Sequence, residues 1–122
     1  MILLFDHNVD RRFRRQLPGH EIKTAREMGW DKLENGDLLR AAADGGFEAL
    51  LSVDKKIEHE QNLESLPLPV IVIDSMSNAF PALLPFAAGI LELLRLPLER
   101  LLYVIQADGS VVRLSAPRQR RG

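Results

Sequence analysis

Two stretches of sequence decide the fold: Ala49-Leu50-Leu51-Ser52-Val53-Asp54 and Val70-Ile71-Val72-Ile73-Asp74. Each is a short and almost wholly apolar run that ends on an aspartate, and Ile2-Leu3-Leu4-Phe5-Asp6 repeats the pattern near the N-terminus. Runs of this length and aliphatic character are typical of strands that are buried on both faces of a parallel sheet. The sequence therefore predicts an α/β domain in which three buried strands each end on a carboxylate.

Helical patterns separate these predicted strands. Val9, Phe13 and Leu17 recur at the spacing of one helix face, which predicts a helix from about Val9 to Gln16. Asn35 is a good N-cap for a second helix, which Gly45-Gly46 closes. The other predicted elements are a short strand over 20–24, a polar helical segment over 56–63 and a long apolar helix over 79–96 that Asn78 caps.

The last third of the chain contains a helix breaker and a turn signal. Pro85 falls inside the long apolar helix, and we expect it to kink that helix or to move its start. Ala107-Asp108-Gly109 separates two apolar runs and indicates a hairpin. The prediction is a single domain over residues 1–116 with a mainly parallel sheet and a C-terminal hairpin, followed by a disordered basic tail over 117–122.

Composition excludes several classes of site. The chain of 122 residues has no cysteine, so disulfides, thiolate metal sites and cysteine nucleophiles are ruled out. No glycine-rich dinucleotide or P-loop motif follows a predicted strand. No apolar stretch reaches the ~18 residues of a membrane span, and no basic leader precedes Ile2, so we expect a cytoplasmic protein with no membrane contact.

Asp6, Asp37 and Asp54 are the candidate metal-binding and catalytic residues. Strands one and three are expected to be neighbours, so their carboxyl ends bring Asp6 and Asp54 to one edge, where Asp37 opens a helix. Carboxylates suit Mg²⁺ or Mn²⁺, which can activate a water for phosphodiester hydrolysis. The alternatives are a helix cap for Asp6 or Asp54, a surface residue that favours the helix dipole for Asp37, and a turn or cap residue for Asp74.

Asn8, Lys55 and Arg11 are the candidate substrate-binding residues. Asn8 could bond a ligating carboxylate or a phosphate, and Lys55 could neutralise an acid cluster, touch phosphate or be a plain surface lysine. Arg11 begins a basic cluster that could follow a phosphate backbone or form a solvated helix face. Ser52 is expected on the same face of its strand as Asp54, where its hydroxyl could donate a hydrogen bond that supports a ligating carboxylate.

Three motifs of the chain resemble the acidic motifs of PIN-domain nucleases. They are Leu4-Phe5-Asp6-x-Asn8, Asp37-Leu38-Leu39-Arg40-Ala41-Ala42 and Leu51-Ser52-Val53-Asp54-Lys55. The short chain and Gln61-Asn62-Leu63 look still more like the small PIN-like proteins of bacteria, which are related to VapC-type toxins. The resemblance covers about residues 1–75.

This resemblance implies a three-layer α/β/α fold, Mg²⁺ or Mn²⁺ held by Asp6, Asp37 and Asp54, and cleavage of single-stranded RNA. It also implies an antitoxin protein as partner. The chain departs from the family pattern at three places. His7 stands where small relatives often have glutamate, Lys56 and Ile57 stand where a further acid is common, and only Glu27 or Glu34 could match the usual helical glutamate.

The sequence leaves three functions open. The first is a metal-dependent ribonuclease, the toxin of a toxin–antitoxin pair. The second is an inactive PIN-like binding module that acts through an antitoxin-like partner or a homodimer; the apolar segment Phe80 to Leu98 hints at a dimer surface, though a buried core helix explains it nearly as well. The third is a phosphoacceptor receiver domain with Asp54 as acceptor and Asp6 as Mg²⁺ ligand, although His7 and Gln106 replace the acid and lysine that receivers need.

Overall fold

The computed structural model describes residues 1–118 and is built around one six-stranded sheet. The strands are β1 (Ile2–Phe5), β2 (Glu21–Thr24), β3 (Ala49–Ser52), β4 (Val70–Ile73), β5 (Leu102–Ile105) and β6 (Val111–Leu114). Their order across the sheet is β2-β1-β3-β4-β5-β6. All neighbouring strands are parallel except β5 and β6, which form the predicted antiparallel hairpin.

Helices and single helical turns connect the strands. The α-helices are α1 (Asn35–Asp44), α2 (Ile57–Glu60), α3 (Phe80–Leu83) and α4 (Ala87–Leu94). The 3-10 helices are Arg11–Gln16, Leu63–Ser65 and Leu84–Phe86. None of the helices within residues 1–118 has the length and apolar character that crossing a bilayer requires.

Alternate side chains of the strands supply two cores: the first core lies between the sheet and α3, α4 and the 3-10 helix Arg11–Gln16, and the second core lies between the sheet and α1 and α2. Phe5 and Leu51 point to the face that α3, α4 and the 3-10 helix Arg11–Gln16 cover. Leu4 and Leu50 point to the opposite face, which packs against α1 and α2. Helices on both faces of a mostly parallel sheet give a three-layer α/β/α arrangement, as predicted.

The apolar periodicity of the first helix identified the buried side chains correctly but not the helix type. Val9, Phe13 and Leu17 are all buried in the first core. The helix is a 3-10 helix that begins at Arg11, because the Asp10 side chain accepts a hydrogen bond from the Arg12 amide and caps it there.

Pro85 divides the long apolar helix, as predicted, because proline has no N–H for the helical hydrogen bond. The segment becomes α3, the 3-10 helix Leu84–Phe86 and α4. Asn78 was expected to cap it, but Ala79 occupies the cap position, without a side-chain hydrogen bond. Most of the large apolar side chains of this segment pack into or against the first core, which leaves Leu84 and Leu96 as the exposed ones. The homodimer stays a prediction.

Part of the predicted C-terminal tail contacts the domain. The Arg118 amide and guanidinium donate hydrogen bonds to the carboxylate of Glu58 in α2, over N···O distances of 2.6 to 3.2 Å. The prediction of disorder for the remainder, 119–122, lies outside the described residues.

Candidate functional site

The carboxyl ends of β1 and β3 lie at the point where the sheet reverses its strand order. From β1 the chain passes to β2 on one side, and α1 then returns it to β3 on the other side. The order 2-1-3-4-5 is that of flavodoxin-like sheets, and ligands of open α/β sheets bind in the crevice at this switch point. Asp6 directly follows β1 and Asp54 lies two residues after β3, so the structure places both acids at the expected edge.

One buried hydroxyl connects these two acids. Ser52 Oγ donates a hydrogen bond to Asp6 Oδ2 at 2.8 Å and accepts one from the Asp54 amide at 3.0 Å. Parallel pairing of Phe5 with Leu51 and the bond from the Asp6 amide to the Leu51 carbonyl set this register. Ser52 thus supports a candidate carboxylate, as predicted, and the carboxylate that it contacts is that of Asp6.

The Asp6 carboxylate is buried and lacks a strong cationic partner. The residue is 2% exposed, and its Oδ1 accepts a hydrogen bond from the His7 amide at 2.8 Å. The His7 ring nitrogen Nε2 lies 3.4 Å from the same oxygen. Within residues 1–118 no lysine or arginine pairs with Asp6. Burying a carboxylate without a full counter-charge is costly unless hydrogen bonds, a proton or a cation compensate it.

Asp54 is half-buried and held by two donors. Its Oδ1 accepts the Lys56 amide at 3.0 Å, and its Oδ2 accepts the side-chain nitrogen of Asn35 at 3.2 Å. The bond to Lys56 is an Asx-turn contact, so the alternative of a local turn or cap role is partly realised for Asp54. Asn35 was predicted as a helix cap; Glu34 occupies the cap position, and the Asn35 side chain reaches Asp54 instead.

Asn8 and Lys55 both take part in contacts between neighbouring strand ends. Asn8 Oδ1 accepts the Val53 amide at 3.3 Å, which links the loop after β1 to the end of β3. Lys55 Nζ lies 2.8 Å from Asp74 Oδ1, and the side-chain amide of Gln106 donates to Asp74 Oδ2 at 2.7 Å. The hydrogen bond from Lys55 lowers the pKa of Asp74. Lys55 therefore neutralises Asp74, which lies outside the predicted cluster of Asp6, Asp37 and Asp54, and its role in substrate binding stays a prediction.

Asp37 lies apart from the pair of acids. It is exposed at the start of α1 and forms an ion pair with Arg40 in the next turn. No hydrogen bond or ion pair in residues 1–118 links it to Asp6 or Asp54. In the same part of the chain no group of three or more histidine, aspartate or glutamate side chains is arranged to hold a metal ion. The role of Asp37 as a ligand and catalytic residue stays a prediction.

Three clefts follow one another along the carboxyl edge. Asp54 borders two of them, with volumes of about 410 Å³ and about 380 Å³. The third, of about 360 Å³, contains Asp6, and His7 borders both this cleft and the larger cleft at Asp54. Lys56 lines both clefts at Asp54, and Arg26 lines the third together with Arg11.

Asn35, Lys56 and Arg26 border these clefts and are among the lining residues that the sequence did not single out for the site. Asn35 precedes a predicted helix and was interpreted as its cap, so its hydrogen bond to Asp54 was not expected. Lys56 directly follows Lys55 in the sequence, where the two lysines look equivalent. The structure distinguishes them, because Lys55 forms an ion pair with Asp74. Arg26 falls in a segment without clear periodicity, so nothing in the sequence signalled its position.

The carboxylates of Asp6 and Asp54 are ligands of the type that Mg²⁺ prefers, and the two side chains line different clefts. Each carboxylate oxygen accepts one of the hydrogen bonds described above, and an ionised carboxylate offers about four lone-pair sites. Mg²⁺ in proteins keeps several waters and is commonly held by one or two carboxylates together with substrate phosphates. Asp6 and Asp54 are therefore the residues that would hold such an ion.

Fold and site define an α/β protein with flavodoxin-like strand order and two acidic residues at the switch point, where Ser52 joins the Asp6 carboxylate to the Asp54 amide. Comparisons with protein-family models, with curated proteins and with solved structures gave no match.

Proposed function

We propose that this protein is a metal-dependent endoribonuclease of the PIN-like type, the toxin of a toxin–antitoxin pair. The observation that supports the proposal is the buried Asp6 carboxylate, which has no lysine or arginine partner within residues 1–118 and is joined to Asp54 through Ser52. The resemblance of three motifs to PIN-domain nucleases supplies the substrate class, single-stranded RNA.

In this mechanism, Asp6, Asp54 and the residues around them bind the metal, orient the carboxylates or contact phosphate. Asp6 and Asp54 would hold Mg²⁺ or Mn²⁺, which supplies an activated water and stabilises charge on the phosphodiester. Ser52 and Asn35 orient the two carboxylates through the hydrogen bonds described above. Lys56, on the wall of both clefts at Asp54, is placed to contact a phosphate.

The test is cleavage of a labelled single-stranded RNA with Mg²⁺, with Mn²⁺ and with a chelator. Wild-type protein is expected to cleave only with metal, and Asp6→Asn or Asp54→Asn is expected to lower the rate by about 100-fold or more, since a bound ion supplies several kcal/mol. Asp108→Asn, in the exposed turn of the hairpin, is the control and should keep full activity. Far-UV circular dichroism confirms that each variant is folded.

Two results would contradict the nuclease. One is intact RNA after long incubation with both metals. The other is metal-dependent cleavage that survives both substitutions. The first result would favour the inactive binding module, whose partner would then be an antitoxin-like protein or a second copy of this chain. Asp37→Asn, measured alongside, shows whether this exposed acid contributes to catalysis.

A phosphoacceptor receiver is the second candidate, and the strand order favours it. The order 2-1-3-4-5 occurs in receiver domains, and Asp54 follows the central strand β3. The residue after β5 is Gln106, which bonds Asp74 rather than Asp54. Incubation with radiolabelled acetyl phosphate and Mg²⁺ should label wild-type protein and leave Asp54→Asn unlabelled; absence of label on the wild type dismisses this candidate.

A further inference from the structure

Within residues 1–118, some arginines form ion pairs with carboxylates and others do not. Five arginines of residues 1–118 form ion pairs with carboxylates: Arg12, Arg14, Arg40, Arg95 and Arg118. In the same part of the chain, no carboxylate pairs with Arg11 or Arg26, and both border the cleft that contains Asp6. We call this the arginine cleft, lined by Asp6, His7, Val9, Asp10, Arg11, Thr24, Arg26 and Asp31.

The acids of the arginine cleft leave these two guanidinium groups available. Asp10 is already paired with Arg12, whose guanidinium donates to both carboxylate oxygens, and this bond lowers the pKa of Asp10 to about 2. Asp6 also lines the cleft and is almost fully buried. Asp31 is therefore the one exposed acid on its rim that carries no ion pair within residues 1–118.

We propose that the arginine cleft binds the phosphates of the RNA strand next to the bond that Asp6 and Asp54 cleave. The proposal rests on the proposed function for the identity of the strand. His7 borders both the arginine cleft and the larger cleft at Asp54, so a strand that leaves Asp54 passes His7 and reaches Arg11 and Arg26. The planar fork of a guanidinium group matches the geometry of phosphate oxygens.

The chain offers a matched control for this proposal. Arg15 lies in the same 3-10 helix as Arg11, is also exposed and has no ion pair in residues 1–118, but it does not border the arginine cleft. Arg11→Ala and Arg15→Ala therefore make the same change of charge on one element. Only the first removes a side chain from the cleft.

The experiment measures binding of a fluorescein-labelled single-stranded RNA by anisotropy, in a chelator so that no cleavage occurs. Arg11→Ala and Arg26→Ala are each expected to weaken binding about three- to tenfold and to reduce the slope of log K against log salt by about 0.7, the value for one phosphate contact on a single strand. Arg15→Ala should leave both quantities unchanged. Asp31→Asn should tighten binding, because it removes the acid on the rim.

Two results would overturn the proposal. Equal losses for Arg15→Ala and Arg11→Ala would show that total charge, and not the cleft, attracts the strand. Displacement of the RNA by polyglutamate at the concentration at which unlabelled RNA displaces it would assign the cleft to an acidic protein instead.

Binding and cleavage test the two proposals separately. Binding that depends on Arg11 and Arg26 in a protein that never cleaves RNA would support the cleft and contradict the nuclease. Metal-dependent cleavage in the presence of unchanged binding by both variants would support the nuclease and contradict the cleft.

Discussion

Ser52 contacts both acids of the candidate site. Its hydroxyl is fully buried and is both a donor to Asp6 and an acceptor from the Asp54 amide. Strand alternation alone predicts that residues 52 and 54 share a face. It could not predict that the hydroxyl turns toward Asp6, because that direction follows from the register between β1 and β3.

Ser52→Ala is therefore expected to destabilise the protein. The substitution leaves one oxygen of the buried Asp6 carboxylate without its donor, so the free energy of unfolding should fall by about 1–3 kcal/mol. Urea denaturation measures this loss. Ser110→Ala removes an exposed hydroxyl that, within residues 1–118, bonds Asp108 alone, so it should change stability by less than about 0.5 kcal/mol; equal losses in the two variants would contradict the role of Ser52.

α4 packs closely against the hairpin of β5 and β6, and this contact requires a glycine in α4. A Cβ on Gly89 in α4 would lie 3.0 Å from the Gly109 Cα and 3.1 Å from Ile105 Cδ1. A Cβ on Gly36 in α1 would meet nothing closer than 3.5 Å. Helix propensity alone favours alanine at both positions by up to about 1 kcal/mol.

Gly36→Ala is consequently expected to stabilise the protein by a few tenths to about 1 kcal/mol, and Gly89→Ala to destabilise it by about 1–3 kcal/mol. The second loss comes from the backbone of the hairpin, which must move to admit the methyl group. Thermal unfolding of both variants measures the two shifts. A rise in Tm for Gly89→Ala would show that the hairpin is not packed on α4 as described.

The hydrogen bonds between Arg118 and Glu58 attach the segment after β6 to α2, although the two residues lie far apart in sequence. The hydrogen bonds from Arg118 lower the pKa of Glu58 below its ordinary value of 4.5. A carboxyl whose pKa is lower in the folded state stabilises the protein above its unfolded pKa, and this contribution is lost as the pH falls through the folded value.

Glu58→Gln should therefore cost about 1.5–3 kcal/mol at pH 7, where the carboxylate accepts charge-assisted hydrogen bonds. The difference in stability between the two proteins should shrink as the pH falls below about 4.5. Urea titrations at pH 7, 5, 4 and 3 follow the difference. A difference that stays constant over this range would show that the charge of Glu58 contributes nothing.

The whole molecule shows which parts of the architecture the sequence can predict. β1, β3 and β4 are visible as apolar runs because each is buried over most of its length, and local composition reports burial directly. The position of Asp37 relative to Asp6 and Asp54 was not predictable, because it depends on how α1 docks against the sheet. Its ion pair with Arg40 is a local contact at i,i+3 spacing in a helix, which the motif does contain.

Because the strands of one sheet contribute to both cores, replacing a buried leucine on either face with alanine should lower the stability of the entire domain. Leu50 and Leu51 are neighbours on β3, almost fully buried, and point to opposite cores. Leu50→Ala and Leu51→Ala should each lower the free energy of unfolding by about 2–5 kcal/mol, through lost burial and the cavity left behind.

Trp30 fluorescence provides a test of this prediction that reports on one core. Trp30 is the single tryptophan of the chain, packs against the second core at 6.0 Å from the Phe47 ring, and therefore reports on the face to which Leu50 points. Leu51→Ala perturbs the other face. Its unfolding transition should nevertheless have the same midpoint by Trp30 fluorescence and by far-UV circular dichroism, at a lower urea concentration than in the wild type, because the strands belong to both cores. A fluorescence transition that stayed at the wild-type midpoint while the circular dichroism shifted would mean that the two faces unfold independently, and the sheet would not couple them.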